Sequence, residues 1–372
     1  EKIAGITGDL TNMETLYIVK EFFQKTIKSK NLESRSDDFY VNNDDRQNYI
    51  FNSTIHGIEE SDLIILVGTN PRYEATILNA RIRKSFVKNK TEVYSFGDIG
   101  DLTYPYKILE NRTETIKDII ENKNEISDKI KNAKKPIVII GQSALKLQSG
   151  KFIFEEFKKF LIQNNKINNE WNSLNVLSEH ASTVGAYDLD ILNLNQDNSS
   201  ILKKIKNNQF DILFLFNQDN LNFKKENEFI IYIGTHGDKG AEIADIILPG
   251  AAYTEQDGYF TNLEGKIQKA FKASYPPGKA TEDWKIVNDL SALLKRKKLY
   301  NNKEELIDSM MNYIKLNKKD KNNKIIETKF LSEKIIIDPI DYYYSNVIAR
   351  SSNTMSKCRS EKLKIKSTGT DG

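Results

Sequence analysis

The stretch ADIILPGAAYTEQDGYFTNLEGKIQ, Ala244 to Gln268, sets a short apolar run against a loop rich in glycine and carboxylates. Ile246 to Leu248 is a strand-length run, and Pro249 ends it because proline has no N–H to give to a ladder. Gly250, Gly258 and Gly265 allow tight turns and close backbone approach. Glu255, Asn262 and Glu264 are then the polar groups available to tie the loop backbone together. A strand feeding such a loop is what an open α/β sheet needs at its carboxyl edge, where ligands of this fold class bind.

Upstream, short apolar runs alternate with amphipathic stretches of ten to fifteen residues, the pattern of a doubly wound, mostly parallel α/β fold. Strands are expected over Asp62 to Val67, Thr91 to Phe96, Ile137 to Ile140, Asp211 to Phe216 and Phe229 to Ile233. Most are apolar throughout, as strands buried on both faces must be. Helices are expected over Met13 to Ile27, Tyr73 to Val87, Thr113 to Lys131, Phe152 to Gln163 and Asp283 to Leu294, where apolar residues recur three and four apart. Thr11 or Asn12 is placed to cap the first of these, Pro71 to close a strand, and Gly141 to turn the chain sharply after another.

The globular body is expected to span residues 1–296, with a subdivision near 134. KRKK and NKKDKNNK then mark a charged connection over 297–337, and 338–372 forms a docking tail. In that tail a tyrosine cluster at Tyr342, Tyr343 and Tyr344 precedes Val347, Ile348, Met355 and Cys358. These four would form the apolar stripe of one short helix, with Arg350, Lys357 and Arg359 on its wetter side.

Composition excludes several classes of function. The 55 basic and 52 acidic residues give a net charge of +3, too weak a field to imply a polyanionic partner. No apolar run reaches the length of a membrane span. No n-region and apolar h-region follow Glu1, so no secretory signal is expected, and the chain reads as a processed product or one part of a larger polypeptide. With one cysteine, and three histidines (His56, His180, His236) far apart and without His-x-x-x-His spacing, no iron–sulfur cluster or structural zinc is expected. Glu255 and Asp257 lie two apart in a glycine-flanked loop, where carboxylates more often cap backbone than act as an acid–base pair. No Walker loop, GxSxG or complete GxGxxG occurs.

The stretch from Ala244 to Gln268 resembles the molybdopterin oxidoreductase superfamily, in which a strand ending "ADVVLP" leads into "E.DGT..N.EGR.Q". DLIILVGTNPRYEATILNARIRKSF, from Asp62 to Phe86, resembles that superfamily's strand, Gly-x-Asn-Pro turn and helix, and KPIVIIGQSAL and EDWKIVNDLSALL are further matches. GTHGDKGAEIAD, YPPGKATEDWK and the tail DYYYSNVIARSSNTMSKC are similar to the cofactor-free C-terminal domain of the largest peripheral-arm subunit of respiratory complex I. The resemblance implies a structural and assembly domain that supports electron transfer from NADH to ubiquinone without a redox centre of its own.

It also implies a vestigial pterin site at Gly68, Asn70, Pro71, Gly250, Glu255 and Asn262, with no catalytic residue and no metal ligand. No cofactor is expected in this chain. The iron–sulfur clusters belong to an N-terminal region absent here or to a partner chain. Expected partners are the other peripheral-arm subunits, above all a ferredoxin-like cluster-bearing chain or segment, with no nucleic acid. The implied location is the matrix side of the mitochondrial inner membrane, or the cytoplasmic side of a bacterial one. The alternative is a subunit of a molybdenum enzyme such as a formate dehydrogenase.

Overall fold

The computed structural model describes residues 2–35, 37–192, 200–221, 223–317 and 326–367. Two parallel sheets of five strands organise it. The first contains β1 (Ile3–Thr7), β2 (Leu32–Glu33) and three later strands, and the second is built wholly between them from β3 (Leu63–Val67), β4 (Glu92–Phe96), β5 (Lys107–Leu109), β6 (Pro136–Gly141) and β7 (Leu174–Leu177). The chain then returns to the first sheet with β8 (Ile212–Phe216), β9 (Phe229–Gly234) and β10 (Ile246–Pro249), and ends its strands in an antiparallel hairpin of β11 (Gly258–Thr261) and β12 (Ile267–Ala270). The strand orders are β10-β9-β8-β1-β2 and β5-β4-β3-β6-β7.

Burial explains why the central strands are apolar on both faces. Ile64 and Leu66 of β3 point into one cluster with Ile137 and Ile139 of β6, while Ile65, Val67, Val138 and Ile140 point the other way. That second set shares a cluster with Phe214, Phe216 and Ile233 of the first sheet, so one core joins the two sheets. The helix Gly150–Gln163 adds Phe154, Phe157, Phe160 and Leu161 to it, at the three- and four-residue spacing of one helical face. Residue 134 lies just before β6, the neighbour of β3, and the second sheet as a whole is inserted in the first.

All five expected strands form, within a residue or so at each end. The helix from Met13 begins where Asn12 accepts the Thr15 N–H at 2.9 Å, and its last turns widen to a π-helix over Phe22–Ile27. Two expected helices are each broken in two. Thr113–Ile120 and Glu125–Asn132 are separated by a polar turn with Asn122 left-handed and Asn124 as a new cap, and Ala75 interrupts Pro71–Glu74 and Thr76–Asn89.

The expected charged connection differs more. Lys303–Leu316 is a helix capped by Asn302, with Leu306 and Met310 fully buried in the main core. The run 331–338 is pinned along the second sheet's helices: Thr113 N–H donates to the Glu333 carbonyl at 3.0 Å, Ile335 N–H to the Asn111 carbonyl at 2.7 Å, and Ile335 is buried.

The tail likewise departs from a single striped helix. It forms Val347–Ser351 and Asn353–Ser367, separated at Ser352, which is extended. Val347 is buried, Ile348 and Met355 are half-buried, and Cys358 is exposed, so the stripe fails at its last member. Arg350 is not on the wet side: it is half-buried and paired with Asp238. The tail docks on the chain's own body.

Candidate functional site

In each sheet the chain moves first to one side and later to the other of a starting strand, leaving a crevice at the carboxyl ends. In the first sheet it lies between β1 and β8, and in the second between β3 and β6. Backbone crosses so closely at both that only glycine fits. A Cβ on Gly8 would lie 1.7 Å from the Asn217 carbonyl oxygen, and one on Gly141 would lie 2.4 Å from the Gly68 carbonyl oxygen. Gly68 is itself left-handed, at φ +60°.

The turn after β3 holds three of the expected residues. Gly68 bends the chain, Asn70 caps the short helix by accepting from Arg72 N–H at 3.1 Å, and Pro71 is its first residue. The donors of this turn are already engaged. Thr69 hydroxyl and Asn70 N–H both donate to the carboxylate of Glu74, each at 2.6 Å, and the Asn70 amide donates to the Ile99 carbonyl at 2.8 Å. Burial pushes the Glu74 carboxyl up, against these two hydrogen bonds. A carboxylate of the chain thus occupies the place an anionic ligand would take at this turn.

Gly250, Glu255 and Asn262 follow β10 but do not meet in one pocket. Gly250 N–H donates to the Gly234 carbonyl at 2.8 Å, and Glu255 accepts from Ala252 N–H at 2.9 Å, closing its own turn. Asn262 accepts from Lys266 N–H at 2.8 Å in the tip of the β11–β12 hairpin. Glu264 beside it accepts from Ile55 N–H at 2.6 Å, which ties the hairpin to the second sheet's side of the molecule. Asp257 accepts from Lys272 N–H at 2.8 Å, so neither member of the Glu255 and Asp257 pair is free of backbone.

Sequence reasoning missed the groups that join these loops. Asp283, fully buried at the first turn of Asp283–Lys295, accepts from Asn217 at 2.9 Å and Gln256 at 3.0 Å, linking the loops after β8 and β10. Burial pushes its carboxyl up to about 6. Asp219, after β8, accepts from the Tyr232 hydroxyl, and burial pushes it up to about 7, with Tyr232 and Arg350 opposing and Asp9 and Asp238 adding to the rise. The available signal was local for Asp283, an acidic residue in a helix's first turn, but absent for Asp219.

The tail crosses both crevices. Asp338 N–H donates to Ser143 Oγ at 3.0 Å, just beyond β6, and the Asp338 carboxylate pairs with Lys146 at 2.6 Å. Further on, Asn346, Val347 and Arg350 line a small cavity with Asp9, Asn217 and Asp219 at the ends of β1 and β8. Beside the tail two open clefts remain, of about 760 and 940 Å³, the smaller one largely apolar and flanked by Tyr73, Ile77, Tyr253 and Met355.

Two parallel sheets whose carboxyl ends carry glycine crossings define a doubly wound α/β ligand-binding fold. The chain belongs to the molybdopterin oxidoreductase family, whose model matches residues 1–293. It is 37% identical to the NADH-ubiquinone oxidoreductase 75 kDa subunit of Reclinomonas americana over 96% of this chain and 55% of that protein. It is 34% identical to an NADH-quinone oxidoreductase subunit of Rickettsia bellii, over 99% of this chain and 54% of that one. The mitochondrial NADH-ubiquinone oxidoreductase 78 kDa subunit of Candida albicans is also 34% identical, over 96% of this chain and 51% of that one. The chain spans about half the length of these relatives, and they favour the complex I branch over molybdenum enzymes such as formate dehydrogenase. Among solved structures, a chain of the formyltransferase/hydrolase complex of Methylorubrum extorquens shares the fold, with TM-score 0.56 at 12% identity, over 79% of this chain and 92% of that one.

The family implies a pterin dinucleotide at the strand ends, and the residues present do not fit one. Its phosphates would need free donors or cations. At the β3 turn the donors face Glu74, and at the β1 and β8 ends the nearby charges are Asp9, Asp219 and Asp238, answered by Arg350 of the tail. Among the described residues no cluster of three or more potential metal-ligating side chains occurs, and Cys358 lies exposed on the last helix.

Proposed function

We propose that this chain is a structural and assembly domain of the peripheral arm of a complex I-type NADH:quinone oxidoreductase, without a redox centre of its own. One observation carries the reading. The general family model ends at residue 293, whereas similarity to the complex I subunits runs through 96 to 99% of the chain, taking in the tail. An exposed apolar edge supports a place in an assembly: Phe229, Ile246 and Ile247 lie open along β9 and the edge strand β10, a surface that soluble chains usually cover. No helix among the described residues is long and apolar enough to cross a membrane, which suits a peripheral position on the matrix or cytoplasmic side.

In this role the domain packs beside a ferredoxin-like, cluster-bearing segment or chain and holds it in the arm, while electrons pass through that neighbour. The test is cross-linking of the native assembly followed by mass spectrometry and an NADH:quinone reductase assay of the same preparation. A cysteine-rich neighbour and NADH-dependent quinone reduction are expected. Isolation with a molybdenum subunit and formate oxidation would refute the reading.

A further inference from the structure

The segment 331–352 is held far more firmly than an incidental tail. Leu331 exchanges two hydrogen bonds with Ser149 Oγ, both 2.9 Å, and the Glu333 carboxylate accepts from Gln148 and Ser149 N–H at 3.1 and 2.7 Å. Glu333 N–H donates to Thr113 Oγ1 at 2.9 Å, and Asp338 is bound through both its N–H and its carboxylate as described above. The far end is anchored by burial of Val347 and by Arg350, which pairs with Asp238 and donates to the Tyr344 carbonyl at 3.1 Å. Between these anchors the segment passes from the crevice of the second sheet to that of the first.

We propose that residues 331–352 are a strap of the chain's own that crosses both crevices and excludes nucleotide-type anions from the first-sheet one, between β1 and β8, by filling its strand ends. At the first-sheet end the charge pattern suits this occupant and no phosphate. Asp9, Asp219 and Asp238 surround the first-sheet end, and the strap brings Arg350 to them. At the second-sheet end Glu74 has taken the turn's donors, and the strap adds the backbone N–H that Ser143 Oγ accepts. A nucleoside diphosphate at the first-sheet end would have to displace the strap, lose Arg350 with it, and then lie beside Asp9 and Asp238. The inference does not depend on membership of a respiratory assembly, because it concerns the isolated chain.

The test uses the whole chain, hydrogen exchange read by mass spectrometry, and GDP as the anionic probe. Arg350→Glu should speed exchange of the strap and of the peptides around Asp9 and Asn217 by about tenfold or more, the scale expected when a half-buried ion pair is lost from a local opening. Adding Asp238→Lys to Arg350→Glu restores an opposite pair and should return exchange toward the original rate. Circular dichroism confirms that the body stays folded. Titration calorimetry should find no saturable GDP binding to the intact chain or to Arg350→Glu. Saturable binding by either, or exchange unchanged in the single variant, would overturn the proposal.

Discussion

Mild acidification should stabilise this protein, because its most perturbed buried carboxyls are pushed up. Asp219 rises from 3.8 to about 7 and Asp283 from 3.8 to about 6, in each case chiefly by burial. A carboxyl whose folded value lies above its unfolded one keeps its proton in the folded chain while the unfolded chain has lost it. Its contribution is then fully present below the unfolded value and is lost as pH rises through the folded one. The window here runs from about pH 4 to pH 7.

At 1.36 kcal/mol per unit the upper limits are about 4 kcal/mol for Asp219 and about 3 kcal/mol for Asp283. Water reaches part of Asp219, so a combined effect of about 2–4 kcal/mol is the working figure. For a chain of 372 residues that is a rise in melting temperature of about 3–5 °C between pH 7.5 and about pH 5. The groups facing Asp219 are Tyr232, Arg350, Asp9 and Asp238, and their effects are contained in its value. Glu59 and Glu92, lowered to about 2 by their lysine and arginine partners, act in the opposite sense but only as pH falls below the unfolded carboxylate range. Stability should therefore peak near pH 5. Thermal melts followed by intrinsic fluorescence at constant ionic strength test this, with Asp219→Asn removing the larger part of the slope. A melting temperature that is flat or climbs from pH 5 to 7.5, or a slope that Asp219→Asn leaves undiminished, refutes the reasoning.

Leu306→Ala or Met310→Ala should each cost about 2–5 kcal/mol in urea unfolding, because both side chains are fully buried in the main core; a loss near zero would return Lys303–Leu316 to the status of a connection. Glu74→Ala should cost about 1–3 kcal/mol by leaving Asn70 N–H without its acceptor, whereas Glu74→Gln, which keeps an acceptor oxygen, should cost less than about 1 kcal/mol. Equal losses in the two variants would show that charge, not hydrogen bonding, holds the turn. The purified chain should contain no stoichiometric molybdenum or iron and give no paramagnetic signal on reduction, as elemental analysis and electron paramagnetic resonance would register.

The central strands were legible because burial on both faces leaves only one composition for them, as in Leu63–Val67 and Pro136–Gly141. The turn at Gly68, Asn70 and Pro71 was legible through its resemblance to a Gly-x-Asn-Pro turn, but Pro71 opens a short helix capped by Asn70 and does not close the strand. What pairs across the chain was not. β1 lies beside β8, about two hundred residues later, and nothing in Ile3–Thr7 specifies that neighbour. The helix Lys303–Leu316 was hidden for a different reason: its apolar positions, Leu306 and Met310, lie one turn apart between two blocks of lysine that dominate any window. In the tail the apolar residues announced order, but the dock was fixed by Ser143, Lys146 and Asp238, positions that only the fold brings to the tail.

The backbone of a ligand-binding fold can be kept without free donors at its strand ends. The glycine crossings at Gly8 and Gly68 persist because they are also how adjacent strands leave the sheet, so any side chain there would strike main-chain atoms whether or not a ligand is bound. The polar groups around them are under a different constraint, since a buried donor left without its ligand costs free energy until something replaces it. Glu74 supplies that replacement at one crevice, and Asp283 gathers Asn217 and Gln256 beside the other. With internal carboxylates on these donors, an incoming phosphate meets repulsion in place of free N–H groups, and a segment carrying Arg350 is the favourable cover at the first-sheet end. The cover and the two carboxylate-tied turns then answer one need, that the donors of Thr69, Asn70, Asn217 and Gln256 keep an acceptor.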